Sequence, residues 1–193
     1  MNDMSKTTYL VIFSLIAVFA VQAAVLLWLG HSFFCPCGYV TIWASVRGIQ
    51  NSQQLADWYS LNHVAYGIVG YFALWLIGKK FRWNTATLLI IILVLSLGWE
   101  IFENTSYVTH KFRAETVSFD YYEDSVINSL MDTIFVVLGF LFAYSIPLWA
   151  TLGLMGFLEI MTLVTIHEGL ILSAIMFIHP FNKILAWQAS IWH

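Results

Sequence analysis

The chain has 193 residues, of which 60% are hydrophobic and only 10% charged, whereas an ordinary soluble domain carries about 25% charged residues. So few charges cannot cover a soluble surface, and the apolar runs, at about 20 residues each, are long enough to cross a hydrocarbon core of about 30 Å. The net charge of −3 excludes the basic footprint of a nucleic-acid-binding protein. We therefore expect an all-α membrane helix bundle within the lipid bilayer, as one transmembrane domain of residues 1–193.

Five membrane-spanning helices are predicted in chain order. They cover about residues 8–30, 62–78, 84–103, 124–144 and 148–165. The apolar run of residues 170–178 is too short to span and predicts a re-entrant or interfacial segment, followed by an amphipathic tail. The first helix is too long for a signal-peptide core, which favours a retained anchor.

The basic residues indicate an orientation for these helices. Lys79, Lys80 and Arg82 lie in the short turn of residues 79–83, and basic residues in short loops favour the cytoplasmic side. The N-terminus is then cytoplasmic as well. The longer segments of residues 31–61 and 104–123 are expected on the outer side.

Polar residues are rare in the apolar helices, and those present share the predicted outer half of the membrane. They are His63 in the second helix, Glu100, Glu103 and Asn104 in the third, Asp124, Asn128 and Asp132 in the fourth, and Glu159 in the fifth. Within the third and fourth helices their spacings of three and four residues place them on one face. We expect these two acidic faces to meet.

Carboxylates at membrane depth cost several kcal/mol, which makes them candidates for a functional site. Held close together, they must share protons, pair with a base or bind a cation. We predict that Glu100, Glu103, Asp132 and His63 are catalytic or metal-ligating groups. The residues expected to assist in binding a cofactor are Asn104, Asp124, Asn128 and Glu159. Oxygen-rich ligation with one imidazole suits magnesium, manganese or iron.

Structural roles are weighed beside these functional ones. Helix-capping positions are occupied by Asn104, Asp124 and Ser125, and the Ser129 hydroxyl can bond back to its own helix. His167 and Glu168 are predicted to lie in a solvated turn. Small residues in the second and fourth helices are expected to allow close helix packing, namely Gly67, Gly70 and Gly139.

Cys35 and Cys37 follow the first helix and, in the predicted orientation, face an oxidising compartment. A disulfide across a single residue would be strained and easily reduced. Free thiols, a redox pair and links to another chain all remain open.

Several motifs carry a resemblance to a known family. They are Cys-Pro-Cys-Gly at 35–38, Ser-Gln-Gln-x-x-Asp-Trp-Tyr-x-x-x-His at 52–63, Trp-Glu-x-x-Glu-Asn at 99–104, Tyr-Tyr-x-Asp-Ser-x-x-Asn-Ser-x-x-Asp at 121–132, His-Pro at 179–180 and Trp-Gln at 187–188. The chain resembles the UPF-series, domain-of-unknown-function group of small bacterial multi-pass membrane proteins. The resemblance implies a bacterial inner-membrane protein.

A second, looser resemblance is to VanZ-like membrane proteins, a group associated with the bacterial envelope. It rests on the histidine early in one helix and the acidic residues of the next two. The chain departs from the UPF-series pattern at residues 167–169, where His-Glu-Gly replaces an expected Arg-Asp-Asn. No base can therefore be assigned at that place.

Three functions are compatible with these features. The first is a carboxylate-rich site in the outer leaflet that binds a divalent cation or a lipid-linked envelope substrate, either as an enzyme or as a binder. The second is a non-catalytic scaffold that contacts envelope proteins and whose acids form a structural hydrogen-bond network. A transporter is less favoured, because the polar groups occupy only one half of the membrane and no inverted repeat is evident.

Overall fold

The computed structural model describes residues 3–115 and 121–190, with side chains for 6–114 and 121–190. Its helices are α1 (Asp3–Leu29), α2 (Ser60–Phe81), α3 (Thr85–Glu103), α4 (Ser106–Glu115), α5 (Val126–Ser145), α6 (Leu148–Ile166), α7 (Leu170–Ile178) and α8 (Asn182–Ala189). All regular structure in these ranges is helical, with a short 3-10 turn at Gly48–Gln50. Five helices, namely α1, α2, α3, α5 and α6, are long and apolar enough to cross a membrane. The predicted all-α bundle with five spans is confirmed.

The ends of the spans carry recognisable stop and start signals. The Asn84 side chain accepts the backbone N–H of Thr87 at 2.9 Å and thereby caps the start of α3. The preceding helix, α2, ends at Phe81. The next residue, Arg82, adopts a left-handed φ of 55°, a conformation common just after a helix. Pro147 precedes α6, where its missing N–H leaves no helical bond unmade. These signals produce the tight turns that keep successive helices adjacent.

The bundle is centred on the contact between α2 and α5. A Cβ atom at Gly67 would collide with the carbonyl oxygen of Val136, and one at Gly139 would collide with the carbonyl oxygen of Val64. The expected close packing is thus confirmed, because only glycine lets the two backbones approach this far. Gly70, on α2 as well, contacts the Ile92 side chain of α3. The three helices that carry the predicted acidic faces and His63 are therefore held together.

The segment between α1 and α2 folds over the start of α5. The backbone N–H of Val126 donates to the carbonyl of Ser32, and the N–H of Ser125 donates to that of Ser52, both at 3.0 Å. The Asn128 amide donates to the carbonyl of Gln54 at 2.8 Å. The first N–H groups of a helix lack hydrogen-bond acceptors within that helix. At the start of α5, the segment between α1 and α2 supplies these acceptors.

Cys35 and Cys37 form a disulfide with each other within this segment. Of the alternatives left open by the sequence, the structure therefore has an intrachain bond between the two neighbouring cysteines. The Cys37 sulfur also accepts a hydrogen bond from the Gln54 amide at 3.3 Å. The disulfide thus lies against the part of the segment that is fastened to α5.

The segment of residues 104–123, which is expected on the outer side, contains a helix, α4, in its first half, and residues 116–120 lie outside the described residues. The Phe112 ring of α4 packs on the Phe177 ring of α7, with centroids 5.4 Å apart. The short apolar run after α6 forms α7, which has nine residues. Beyond it, α8 is fastened to the end of α6, because the Gln188 amide donates to the carbonyl of His167 at 3.0 Å.

Candidate functional site

Side chains from three helices meet around the imidazole ring of His63. Its Nδ1 atom lies 3.4 Å from Oε1 of Glu100, and its Nε2 atom lies 3.8 Å from Oδ2 of Asp132. His63 is in the first turn of α2, Glu100 in the last turn of α3 and Asp132 in the second turn of α5. Glu100 is fully buried and Asp132 is 5% exposed. The ring is therefore held between two buried carboxylates from different helices.

Glu103 completes a group with metal-ligating potential. One ligand atom each from His63, Glu100 and Glu103 lies within 4.8 Å of the other two. Protein ligands bind Mg²⁺ at about 2.0–2.1 Å and Ca²⁺ at about 2.3–2.6 Å, so atoms on opposite sides of one ion are about 4–5 Å apart. The spacing of these three side chains fits one divalent cation.

The Glu100 carboxylate is supported from behind by a chain of hydrogen bonds. Ser129 Oγ donates to Glu100 Oε2 at 2.7 Å and accepts from Gln22 Nε2 at 2.8 Å. The Thr133 hydroxyl in turn donates to Gln22 Oε1 at 2.9 Å. Ser129 therefore does not bond back to its own helix as the structural interpretation expected. Sequence reasoning missed Gln22, because a single amide in a long apolar run has no periodic partner.

Asp132 is oriented by the capping group at the start of α2. Ser60 Oγ donates to Asp132 Oδ1 and accepts the backbone N–H of Asp57, both at 3.1 Å. The Asp57 carboxylate in return accepts the N–H groups of Tyr59 at 2.7 Å and of Ser60 at 3.3 Å. Burial raises the pKa of Asp57, and its bonds to backbone N–H groups oppose that rise. Asp57 and Ser60 thus bond to each other's backbone N–H groups in the turn that leads into α2, so this turn also positions a carboxylate of the site.

Asp124 is bound to Asn104 and does not cap α5. Asn104 Nδ2 donates to Asp124 Oδ2 at 2.6 Å, and the Asp124 N–H donates to Asn104 Oδ1 at 2.8 Å. The cap of α5 is Ser125, whose hydroxyl accepts the N–H of Asn128 at 3.2 Å. Of the three residues expected at capping positions, Ser125 caps α5 and Asn104 is the C-cap of α3, whereas Asp124 caps neither helix. Burial raises the pKa of Asp124 to about 6, while its bond from Asn104 acts in the opposite direction.

Three of the four predicted cofactor-binding residues do not line the cavity beside His63, namely Asn104, Asn128 and Glu159. Asn128 fastens the segment between α1 and α2 to α5, and Asn104 holds Asp124 while donating to the carbonyl of Glu100 at 3.0 Å. Both act on the position of other groups. Glu159 is also absent from the cavity lining, because its Oε1 atom accepts the N–H of Ile171 at 3.1 Å, at the start of α7.

Glu168 is buried, which contradicts the prediction of a solvated turn. Its exposure is only 4%, and it lines the same cavity as His63. Burial raises the pKa of Glu168 to about 7, and a hydrogen bond from Tyr59 opposes that rise. A polar triplet between two apolar runs is typical of an exposed turn, and nothing in the pattern reveals that α7 folds back over it. His167 is partly buried and stacks on the Trp187 ring, with centroids 4.3 Å apart.

A cavity of about 340 Å³ adjoins the His63 ring. Its histidine and carboxylate lining consists of His63 with Glu103, Asp124, Asp132 and Glu168. Its apolar lining includes Trp99, Phe112, Leu170, Ala174, Phe177 and Ile178. Small-molecule sites typically have volumes of about 300–1,000 Å³ with a few polar groups in an apolar surround. The cavity therefore has the size and composition of a ligand site, with its polar end at the candidate metal group.

Comparison with known proteins agrees with the first resemblance. The family model described as "Protein of unknown function (DUF2585)" matches residues 26–190. A "UPF0314 protein" of Paracoccus denitrificans is 38% identical over 177 residues, 90% of each chain. Relatives in Sphingopyxis alaskensis and Rhizobium meliloti are 38% identical over 195 residues and 35% identical over 191 residues, covering at least 96% of each chain.

No solved structure matches the chain at a significant level. The resemblance to the UPF-series family is confirmed, and that to VanZ-like proteins stays a prediction. The relatives are bacterial, and the five apolar helices are those of a multi-pass membrane protein. On a family match covering residues 26–190, and with UPF0314 proteins 32–38% identical over most of the chain, the protein belongs to the DUF2585 family.

Proposed function

We propose that this protein binds a divalent cation, magnesium, manganese or iron, through His63, Glu100 and Glu103, and acts with it on a lipid-linked substrate of the bacterial envelope. The observation that carries the proposal is the approach of one ligand atom from each of these side chains to within 4.8 Å of the others. A bound divalent cation polarises carbonyl or phosphoryl oxygens and lowers the pKa of a bound water. The adjoining cavity would place a substrate beside it.

A buried carboxylate oxygen supports the assignment of Glu100 as a ligand. Its Oε1 atom makes no hydrogen bond among the described residues, although Oε2 is bonded to Ser129. A buried acceptor without a partner costs about 1–3 kcal/mol, more when charged. A cation held between Glu100 and His63 would satisfy this oxygen.

The two nitrogens of His63 support different roles for the flanking acids. Nδ1 faces Glu100, and Nε2 faces Asp132. A metal-bound histidine usually donates its other N–H to a carboxylate, which fixes the ring and raises its basicity. With the cation on the Nδ1 side, Asp132 would orient the imidazole, and Ser60 would orient Asp132 in turn.

The same proposal places the site at the outer face of the inner membrane, with the N-terminus in the cytoplasm. His63 and the basic residues Lys79 and Lys80 lie at opposite ends of α2. If the basic end is cytoplasmic, the site opens outward. A cysteine introduced at Ile49 should then react with a membrane-impermeant maleimide in intact cells, and one at Lys80 only after lysis. The reverse labelling would place the site on the cytoplasmic side.

Metal content and stability test the cation directly. Purified wild-type protein, loaded with Mn²⁺ and desalted, should retain about one equivalent, whereas Glu100→Gln and Glu103→Gln should retain none. Glu159→Gln is the matched control, because it neutralises a half-buried acid of α6 that does not line the cavity. Free cation at 100 times its Kd should stabilise the wild type by about 2.7 kcal/mol. Equal metal content in wild type and both site variants, with no stabilisation, would refute the proposal.

The scaffold is the second candidate, and a specific observation favours it. Glu100, Asp132 and Asp124 each accept a hydrogen bond, from Ser129, Ser60 and Asn104 respectively. Acids held in this way can serve structure alone. In a deletion strain, Glu100→Gln and Asp132→Asn would then restore the wild-type envelope phenotype, while changes in the segment between α1 and α2 would not. Failure of the amide variants to complement would favour the cation.

A further inference from the structure

We propose that the cavity beside His63 takes a membrane amphiphile with an ammonium headgroup, whose apolar chain lies along the inner face of α7. The inference deepens the proposed function by naming the class of substrate. Binding of the amphiphile does not depend on the cation, and only its conversion as a substrate rests on the proposed function. The polar end of the cavity, its apolar wall and its separation from the bilayer each contribute to the argument.

The polar end of the cavity is acidic. Asp124, Asp132 and Glu168 line it in addition to Glu103, and no lysine or arginine side chain lies in its described lining. An ammonium group has three donors and no acceptor, so it can satisfy several carboxylates at once. In the absence of the bound cation, a phosphate or carboxylate headgroup would instead meet like charges in a poorly hydrated space.

A buried hydroxyl independently indicates a ligand in this cavity. Tyr121 lines the cavity and is only 4% exposed, and its hydroxyl lies beside the Asp124 carboxylate. Its oxygen accepts no hydrogen bond from any described residue, although buried tyrosine hydroxyls are usually hydrogen-bonded. Its oxygen can accept an N–H from the same ammonium group that contacts the carboxylates.

The apolar wall of the cavity follows one face of α7. Leu170, Ala174 and Phe177 line the cavity, and their spacing of four and three residues places them on the same side of the helix. With nine residues rising about 1.5 Å each, α7 offers a wall of about 13 Å. The wall is long enough to contact the first part of an alkyl chain, which favours an amphiphile over a small soluble amine.

The neighbouring face of α7, one residue further along the chain, is exposed and apolar. Ile171 is 55% exposed and Ile175 is 43% exposed. A single helix therefore separates the cavity from the surroundings, which for such a face are lipid. Ile178 lines the cavity and is also 81% exposed, so the end of α7 forms its rim. An alkyl chain that follows α7 would leave at this rim and continue into the bilayer.

Equilibrium binding of radiolabelled amphiphiles with one chain length tests the inference. Dodecylamine and dodecyl phosphate are offered to the protein in phosphatidylcholine nanodiscs with EDTA present, and binding to empty nanodiscs is subtracted. We expect dodecylamine to bind at least tenfold more tightly than dodecyl phosphate. Methylamine should compete only weakly, since it lacks the chain. Equal binding of the two amphiphiles, or competition by methylamine at concentrations equal to those of dodecylamine, overturns the inference.

Two substitutions on α7 provide matched variants. Ala174→Trp places a large ring on the cavity face and should weaken dodecylamine binding at least tenfold, whereas Ile171→Trp on the lipid face should leave it unchanged. A normal thermal unfolding transition of Ala174→Trp shows that it is folded. Equal weakening by both variants, or by neither, excludes the wall of α7 as the chain site.

The headgroup end is tested by Glu168→Gln, which should weaken dodecylamine binding several-fold without affecting dodecanol. An equal effect on both ligands contradicts an ionic contact there. Because EDTA removes divalent cations, a protein that holds no metal can still show the amine preference. A protein that holds Mn²⁺ but binds amine and phosphate alike fails this inference alone, so the two proposals are separated.

Discussion

The Ser129 hydroxyl joins three helices at the back of the candidate metal group, and Ser129→Ala tests that role. In the wild type it accepts from Gln22 of α1 and donates to Glu100 of α3. After the substitution, Glu100 Oε2 has lost this donor, while the Gln22 amide keeps its bond to the carbonyl of Ser129 at 2.9 Å. The main loss therefore falls on the buried carboxylate.

The magnitude follows from the groups left without partners. A buried acceptor that loses its donor costs about 1–3 kcal/mol, whereas a hydrogen bond between membrane helices contributes about 0.6 kcal/mol on average and at most about 1.7. Since Glu100 Oε1 already lacks a hydrogen bond among the described residues, we expect a loss near 2 kcal/mol, to about a factor of two. Loss of an outer-shell partner should also weaken Mn²⁺ binding by about tenfold.

Unfolding by sodium dodecyl sulfate in mixed micelles, followed by circular dichroism, measures the change in the free energy of unfolding. Ser145→Ala, at an exposed position of the same helix, should change the free energy of unfolding by less than about 0.5 kcal/mol. Gln22→Leu completes a double-mutant cycle with Ser129→Ala, and a coupling of at least about 0.5 kcal/mol is expected for groups in one network. A loss of less than about 0.5 kcal/mol in the free energy of unfolding of Ser129→Ala would refute this account of how Glu100 is held. Effects of the two substitutions that simply add in the double mutant would refute it as well.

Two further predictions concern the helix contact and the buried turn. Gly67→Ala places a methyl group against the Val136 carbonyl and should lower the free energy of unfolding by about 3 kcal/mol. The control Gly156→Ala, with open space around it, should be nearly neutral. Equal effects of the two substitutions would contradict the close contact between α2 and α5. Glu168, whose pKa rises on folding from 4.5 to about 7, binds more protons in the native than in the unfolded state between these values. The wild type should therefore lose about 3 kcal/mol of stability as the pH rises through this window, and Glu168→Gln should lack that component; superimposable pH profiles of the two proteins would contradict it.

The spanning helices could be predicted because a run of about 20 apolar residues has few alternatives to a membrane helix. The segments between them could not, since they depend on tertiary contacts. Residues 106–115 are too polar to indicate a buried helix, and α4 gains its packing from the ring of Phe112 against Phe177. The compact fold of the segment between α1 and α2 depends likewise on bonds to α5, such as that from Asn128 to Gln54.

The candidate site was predicted in part, and its errors have a common physical cause. Sequence spacing gives the depth of a residue in the membrane and its face on one helix, which was sufficient to group His63, Glu100 and Asp132. It does not give the rotation of one helix against another, and Glu159, at a suitable depth, faces the start of α7 instead. The burial of Glu168 could not be foreseen, because it depends on the path of the chain after α6.

The close contact between α2 and α5 has a consequence for how the protein is made. These helices are separated in the chain by α3 and α4, so a ribosome delivers α2 and α3 to the membrane before α5 exists. During that interval Glu100 has neither Ser129 beside it nor Gln22 bonded to Ser129 behind it. Docking of α5 through Gly67 and Gly139 thus gives the Glu100 carboxylate its hydrogen-bond donor. A chain that ends before Val126 would lack this donor, which marks the arrival of α5 as the step that distinguishes finished from unfinished protein.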